Sequence, residues 1–550
     1  MAQSNSLFTG SIRDSVTHEA LAGARIEIRS LHRGAVSDRE GHFIIRNLPL
    51  GTLRVTVVLL GYDSAVYSVT LADSAASLDV ILHPQVILGK VITVEGARER
   101  EIERTSVSQV ELTPATIAQV PSIGNESDPF RVLQLMPGVK ALSELSSGLY
   151  IRGGPPDQTL ILLDDNVIYN PTHLFGFFST FNTDAIKSVD LIKGGYPAEY
   201  GGRLTGVLDV TTREGDANDF HGESSLSMIA ARETVEFPVP DGSVLLSARR
   251  TYIDEFLSAV NAQQLFGSSS PLPQYYFYDL NAKIDEHVGP NDHLSVSAYD
   301  GADNLNYPTN GVVSIALNWG NKLVSAEWTH LFSDNVFSKT FGGYTSYASQ
   351  SSGSLAANAF VFDNGLSELS ANEDLDWTAG SHDFRFGAGI SQYTFHFFNT
   401  LGSTNQPLKD TEGVPYYLSA YAQDEWKATD RITATYGLRA EWLDLANAVT
   451  LDPRLIVAYQ LDPDWTLKAS TGIYHQFLHL VSAGEYTFFD FSVPGTAPLP
   501  PSRSTQYILG ISGYPADPYF VSCEVYYKKL DNIVEYNEAK FLSDSITQIF

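Results

Sequence analysis

A single cysteine, Cys523, stands among 550 residues. That excludes an internal disulfide, a cysteine-based zinc site and an iron–sulfur cluster. A chain that meets an oxidising compartment often avoids stray thiols, so the scarcity is compatible with export. Basic residues are scarce too. Against 64 Asp and Glu there are 35 Lys and Arg, a formal charge of −29, which argues against nucleic acid as the main partner. No run approaches the ~18 apolar residues of a membrane helix. The densest, Val55 to Leu60, has the length of a strand. The opening Met-Ala-Gln-Ser-Asn-Ser has neither the basic start nor the apolar core of a signal peptide. Either the protein is cytosolic or its leader is missing from this sequence, and the rest of the chain favours the second. Enzyme motifs are missing as well: there is no GxSxG, HExxH, Walker-type or EF-hand loop. No enzyme, no resident metal and no cofactor are expected.

What is present is a folded chain, 43% hydrophobic and 18% charged, long enough for three or four units. Its acidity is uneven. Residues 1–90 carry 8 basic and 8 acidic side chains, residues 91–216 carry 10 and 17, and residues 217–550 carry 17 and 39.

Residues 1–85 read as short strands with turns. Ala24, Ile26 and Ile28 alternate with charged neighbours, Phe43 and Ile45 follow the Asp38–Phe43 turn, and Leu53, Val55, Val57 and Leu59 share one face. This predicts a small β-sandwich. Residues 86–120 form a polar linker that contains one β-prone run, Val91-Ile92-Thr93-Val94-Glu95. Residues 121–216 are mixed α+β. Asp128-Pro129 opens a helix, with Phe130, Leu133 and Met136 on one face, and Pro137-Gly138 stops it. A second helix is expected around Thr183–Lys187, and Val207–Thr212 is a strand.

From 217 to 550 alternating strands recur. Leu280, Ala282 and Ile284 alternate with Asn281, Lys283 and Asp285, and Leu438, Ala440 and Trp442 with Arg439 and Glu441. Tight turns at Pro240-Asp241-Gly242, Gly289–Asp292, Ser333–Asn335, Gly380-Ser381, Thr429-Asp430, Asp462–Asp464 and Pro515–Asp517 separate long loops at Val260–Tyr275, Asn304–Val313, Ser349–Leu366, Asn399–Val414 and Leu478–Pro501. All six Trp and 22 of the 28 Tyr lie here, as two aromatic girdles would require. Short turns, long loops, one apolar and one ionisable face predict an antiparallel transmembrane β-barrel with a wet lumen. A soluble sandwich or propeller array would have to solvate that ionisable face through many consecutive strands.

Three stretches carry a family resemblance. Gly10–Asp14, Ala22-Gly23-Ala24 and Leu59–Tyr62 resemble the carboxypeptidase regulatory-like domain, an accessory sandwich without peptidase activity. Ile151-Arg152-Gly153-Gly154, Asp157–Leu160, Leu162-Leu163-Asp164-Asp165, Tyr169-Asn170-Pro171 and Lys193–Arg203, with Gly201-Gly202-Arg203 at its end, resemble the plug of TonB-dependent outer-membrane receptors. Arg249–Tyr252 also fits. The domain order is that of Bacteroidetes-type receptors. The plug departs from the starch-utilisation branch after its Arg-Gly pair, so a lipoprotein lid is not implied.

The resemblance implies energised uptake of a scarce nutrient: a ferric siderophore, corrinoid, oligosaccharide or peptide. The partners it implies are outer-membrane lipid and periplasmic TonB with its inner-membrane energising complex. Val91–Glu95 would be the TonB box, joining TonB by strand addition. Arg152 and Arg203 would bridge plug to lumen carboxylates such as Asp285, Glu327 or Glu441, and Gly153, Gly154, Gly201 and Gly202 would supply tight turns. Asp164-Asp165 reads as a turn rather than an acid pair. His475 and His479, four apart, are weak ligand-contact candidates. The competing reading is a passive adhesion or scaffold barrel without transport. About 14 strands are countable, whereas a lumen that holds a folded plug goes with ~22. The expectation is therefore an incomplete C-terminal barrel whose first and last strands do not pair.

Overall fold

In the computed structural model, residues 7–82, 107–481, 491–494 and 500–534 are described, apart from short stretches within them. Val91–Glu95 lies outside the described residues.

Alternation decides the first unit. Leu53, Val55 and Val57 turn inward along Gly51–Val58 and are buried, while Arg54 between them is exposed. One sheet pairs Arg33–Val36, Arg25–Ile28, Gly51–Val58 and Ala65–Leu71. The other joins His42–Arg46, Leu7–Asp14, Ala75–Ser77 and Val80–Leu82. Phe8 meets Phe43 edge-on within the shared core, with ring centroids 5.3 Å apart.

The plug sheet has the order Asn166–Val167, Thr159–Leu163, Gly206–Thr212, Ile186–Ile192, Gln109–Leu112. Its helix Pro129–Leu133 starts as the sequence implies. Asp128 Oδ1 accepts the Phe130 amide at 2.8 Å, and Gly138 takes a positive φ of 83° beyond the helix end. The expected helix at Thr183–Lys187 is corrected. Only Thr183–Ala185 is helical, as a 3-10 turn capped by Asn182, and the strand Ile186–Ile192 begins at once. Ile186 and Val189 are β-branched and fully engaged in the sheet core, which favours the strand.

The wall is one antiparallel sheet whose path runs through fifteen strands from His221–Leu226 to Tyr519–Asp531, with Pro407–Gly413 paired beside His382–Leu401. The tight turns fall between strands as the sequence places them. The long loops need correction. Val336–Leu355 and Asn358–Ala379 stay paired up to Leu355 and Asn358, so most of Ser349–Leu366 is hairpin. Strands of 20 to 22 residues far exceed the ~9–11 needed to cross a bilayer. Ser349 and Ser351 are buried while Gln350 and Ser352 are exposed, so the strand alternates in burial, but polar residues on both faces leave no hydrophobic alternation in the sequence. Likewise Ile253–Ala262 is a helix, and Leu478–Val481 pairs with Phe491–Pro494.

Burial is inverted relative to a soluble sheet. On Gln274–Gly289, Leu280 and Ile284 are exposed outward whereas Asp279, Lys283 and Asp285 are buried inward. Trp328, Trp377 and Trp426 point outward near the short-turn end, as one girdle. Trp319 does not belong to a girdle, since its indole N–H reaches the plug carbonyl of Thr172 at 3.4 Å. Among the described residues the first and last strands of the path do not pair with each other. The wall nevertheless touches the plug near both ends, through Arg232 to Asp184 at 3.0 Å and through Glu524 to Arg152.

That last contact fixes the register of the final strand. Glu524 faces the plug, so Cys523 faces out, where it is exposed. A water-soluble maleimide should label Cys523 far more slowly in intact membranes than in denatured protein. Equal rates would mean that this face is not in lipid.

Candidate functional site between plug and wall

The plug meets the wall largely through polar and charged side chains, with small apolar clusters among them.

High on the wall, His173 is the centre. It precedes the 3-10 turn Leu174–Gly176 and is fully buried. Its Nε2 lies 2.8 Å from Asp279 Oδ1 and its Nδ1 2.6 Å from Asp303 Oδ2. Asp279 also accepts from Arg249 Nε at 2.7 Å and from the Tyr299 hydroxyl at 2.7 Å. Arg249 donates on to the plug carbonyl of Ser179 at 2.7 Å. Asp303 accepts the Leu174 amide at 2.9 Å and the Tyr275 hydroxyl. The imidazole stacks on Phe277, 4.1 Å between centroids. Burial alone would lower the His173 pKa, but the carboxylates of Asp279 and Asp303 outweigh it and raise the value to about 9. His173 is therefore an imidazolium wedged between two aspartates.

Sequence reasoning missed this network. Its signal was present, for the inward face of one strand reads Tyr275, Phe277, Asp279, an acid set among aromatics. Arg249 had been noted only as part of a matching tetrapeptide.

The plug motif residues sit on the same interface. Arg152, at a positive φ of 49°, donates to Glu524 and to Ser108, and lies 4.7 Å from the centre of the Tyr526 ring. Its wall partner is thus Glu524 rather than Asp285, Glu327 or Glu441. Burial lowers its pKa, against the opposing pull of Glu524. Arg203 forms no ion pair among the described residues and donates to its neighbour's carbonyl at Gly202, 2.9 Å away. Of the carboxylates named for it, Glu441 is paired with Arg439 at 2.7 Å on the same strand face and Glu327 with Lys339 at 3.1 Å. The plug reaches Glu441 through the Gly202 amide instead, at 3.1 Å.

Asp164 and Asp165 form the turn between Thr159–Leu163 and Asn166–Val167, both with positive φ. Asp164 accepts from Thr212 and from wall residue Ser297 at 2.9 Å. Asp165 pairs with wall residue Lys339 at 2.6 Å. The four motif glycines divide. Gly153 and Gly202 take positive φ, whereas a Cβ on Gly154 or Gly201 would collide with Thr205 or Arg439.

His475 and His479 do not share a helix face. His475 is the next-to-last residue of the strand Trp465–Gln476 and lies 2.5 Å from Asp452, while His479 is buried and its Nε2 has no partner among the described residues. No group of three metal-ligating side chains is found among the described residues.

Between plug and wall lies a cavity of about 470 Å³. Tyr169, Arg203, Glu368, Tyr393, Tyr417 and Arg439 line it, and Tyr169 donates to Glu368 across it.

Comparison with known proteins agrees with this architecture. A family model described as TonB dependent receptor-like, beta-barrel matches residues 253–545. The TonB-dependent Receptor Plug Domain matches residues 105–207, and the CarboxypepD_reg-like domain residues 8–94. Among solved structures, a variant of the ferric enterobactin receptor PfeA of Pseudomonas aeruginosa is similar at 16% identity and TM-score 0.58, over 81% of this chain and 74% of that one. The siderophore receptor PirA of the same organism is similar at 15% and 0.56, over 77% and 74%. The outer membrane transporter YddB of Escherichia coli is similar at 12% and 0.58, over 77% and 69%. Among curated proteins no match was found.

Proposed function

The chain belongs to the TonB-dependent receptor family, whose members carry nutrients across the outer membrane, and we propose that it works as an energised importer with four parts. Residues 1–85 are the accessory sandwich, 86–120 the linker with the TonB box, 121–216 the plug and 217–550 the wall. A ligand binds from the loop end. TonB, driven by its inner-membrane complex, takes Val91–Glu95 as an added strand and pulls. The plug rearranges and the ligand passes beside it. The observation that supports this is a plug joined to the wall by many polar and ionic contacts, such as Asp165 to Lys339 and Asp164 to Ser297, with only small apolar clusters such as Phe178 on Phe277 and Val107 on Ile508 beside them. Polar contacts in a wet lumen can be exchanged for water during movement, whereas a packed apolar face could not. No catalytic role is assigned. The similar solved structures include receptors for ferric siderophores, so a ferric chelate is the first ligand to try.

Growth of a deletion strain on iron, corrinoid and glycan sources identifies the ligand. Ile92→Pro then tests the mechanism, since it removes an amide donor from the proposed coupling strand. Surface binding of that ligand should persist while uptake falls to the level of a strain lacking TonB. Normal uptake by Ile92→Pro would place the coupling strand elsewhere or remove coupling altogether.

A further inference from the structure

The accessory sandwich has no assigned role. We propose that it is a second closure of the lumen, seated on the short-turn end of the wall and covering the space between plug and wall there. The inference deepens the transport reading, because that end is where an imported ligand would leave.

Three contacts seat the sandwich, from separate parts of its surface. Arg46 Nη2 lies 2.7 Å from Asp383 Oδ1. Asp383 is the second residue of its strand after the Gly380-Ser381 turn, and the Thr378 hydroxyl across that turn also donates to it. Arg13 Nη1 lies 3.1 Å from His287 Nε2, two residues before the strand end at Gly289. Plug residue Lys187 donates to the Ala20 carbonyl at 3.3 Å. The sandwich is therefore tied to two rim positions four strand neighbours or more apart and to the plug between them.

The cavities give these contacts meaning. The cavity of about 470 Å³ described above has Asp38 of the sandwich in its lining. A second, of about 150 Å³, is lined by Arg13, Ala20 and His42 of the sandwich together with Lys283, Asp285 and Ser295 of the wall. These two cavities between plug and wall thus abut the same small domain. The contacts made by Arg13, Arg46 and Lys187 are polar, and such contacts are individually weak. Interfaces of this kind between domains come apart and re-form readily. A permanent seal would need a broad apolar face, whereas a removable one suits the contacts seen.

Ser295 reports on the seal. It is lumen-facing and lines the smaller cavity. In purified full-length protein carrying Cys523→Ser and Ser295→Cys, a hydrophilic maleimide should react slowly. Adding Arg13→Glu and Arg46→Glu should raise that rate at least about tenfold, since both rim contacts become repulsive or lost. Should that protein fail to fold, His287→Ala with Asp383→Ala removes the same contacts from the wall side. An unchanged rate in a folded undocking variant overturns the proposal. So does fast labelling of the parent protein. The assay needs neither ligand nor TonB. A failure of the transport reading would appear in the Ile92→Pro experiment and leave this rate untouched.

Discussion

Asp279→Ala should free the plug from its most deeply buried anchor. The carboxylate is fully buried and serves His173, Arg249 and Tyr299 at once. Removing it leaves the Arg249 guanidinium, itself buried, with Glu126 as its remaining carboxylate neighbour at 3.9 Å. Breaking one partner out of a buried ionic set costs about 3–5 kcal/mol. The plug should become sensitive to trypsin, and thermal unfolding in detergent should begin at lower temperature. Unchanged protease resistance would show that the network is not what retains the plug. The same network predicts a pH response. The His173 pKa is raised from 6.5 to about 9, so its contribution is fully present below 6.5 and is lost as pH rises through about 9. Plug retention in the parent protein should weaken over that window, and His173→Gln should abolish the dependence.

How much of this was legible beforehand depends on the range of the physics involved. The seven tight turns and the inward face of each strand follow from local chemistry, Gly and Asp at turns and period-two alternation along strands. Cys523 could be placed by parity alone. The long hairpin at Ser349–Ser354 could not, because its buried Ser349 and Ser351 are as polar as the exposed Gln350 and Ser352, which leaves no hydrophobic alternation to read. Thr183–Lys187 is too short for its periodicity to choose between helix and strand, and burial of Ile186 and Val189 decided it. The charged contacts were the least legible. Arg152 sits 372 residues from Glu524 in sequence, and nothing local ranks Glu524 above Glu327 as its partner. Arg203 looked equivalent to Arg152, yet of the three carboxylates named for the two arginines, Glu441 is paired with Arg439 two positions before it on the same strand.

The motif glycines make the same point with a measurable difference. Read as sequence, Gly153 and Gly201 are both turn glycines. In the fold they are needed for opposite reasons. Gly153 has a positive φ of 80° and nothing within 4 Å of an added Cβ. Alanine there pays only for the left-handed backbone, roughly 1–2 kcal/mol. Gly201 has ordinary backbone but no room. A Cβ would stand 2.0 Å from Arg439 Nε and 2.2 Å from Glu441 Oε1. Arg439 cannot swing aside freely, because it donates to Glu441 at 2.7 Å and to the plug carbonyl of Glu199 at 3.0 Å. Overpacking costs about 1–3 kcal/mol, and disrupting a buried ion pair adds to it, up to about 3–5 kcal/mol. Gly201→Ala should therefore lower the unfolding temperature clearly more than Gly153→Ala. Combining Gly201→Ala with Arg439→Ala should cost less than the sum of the two single changes, since the second removes the nearer of the two groups the first collides with and frees Glu441 to move. Additive losses, or equal effects of the two glycine variants, would mean that the plug does not sit against Arg439 as closely as the structure places it.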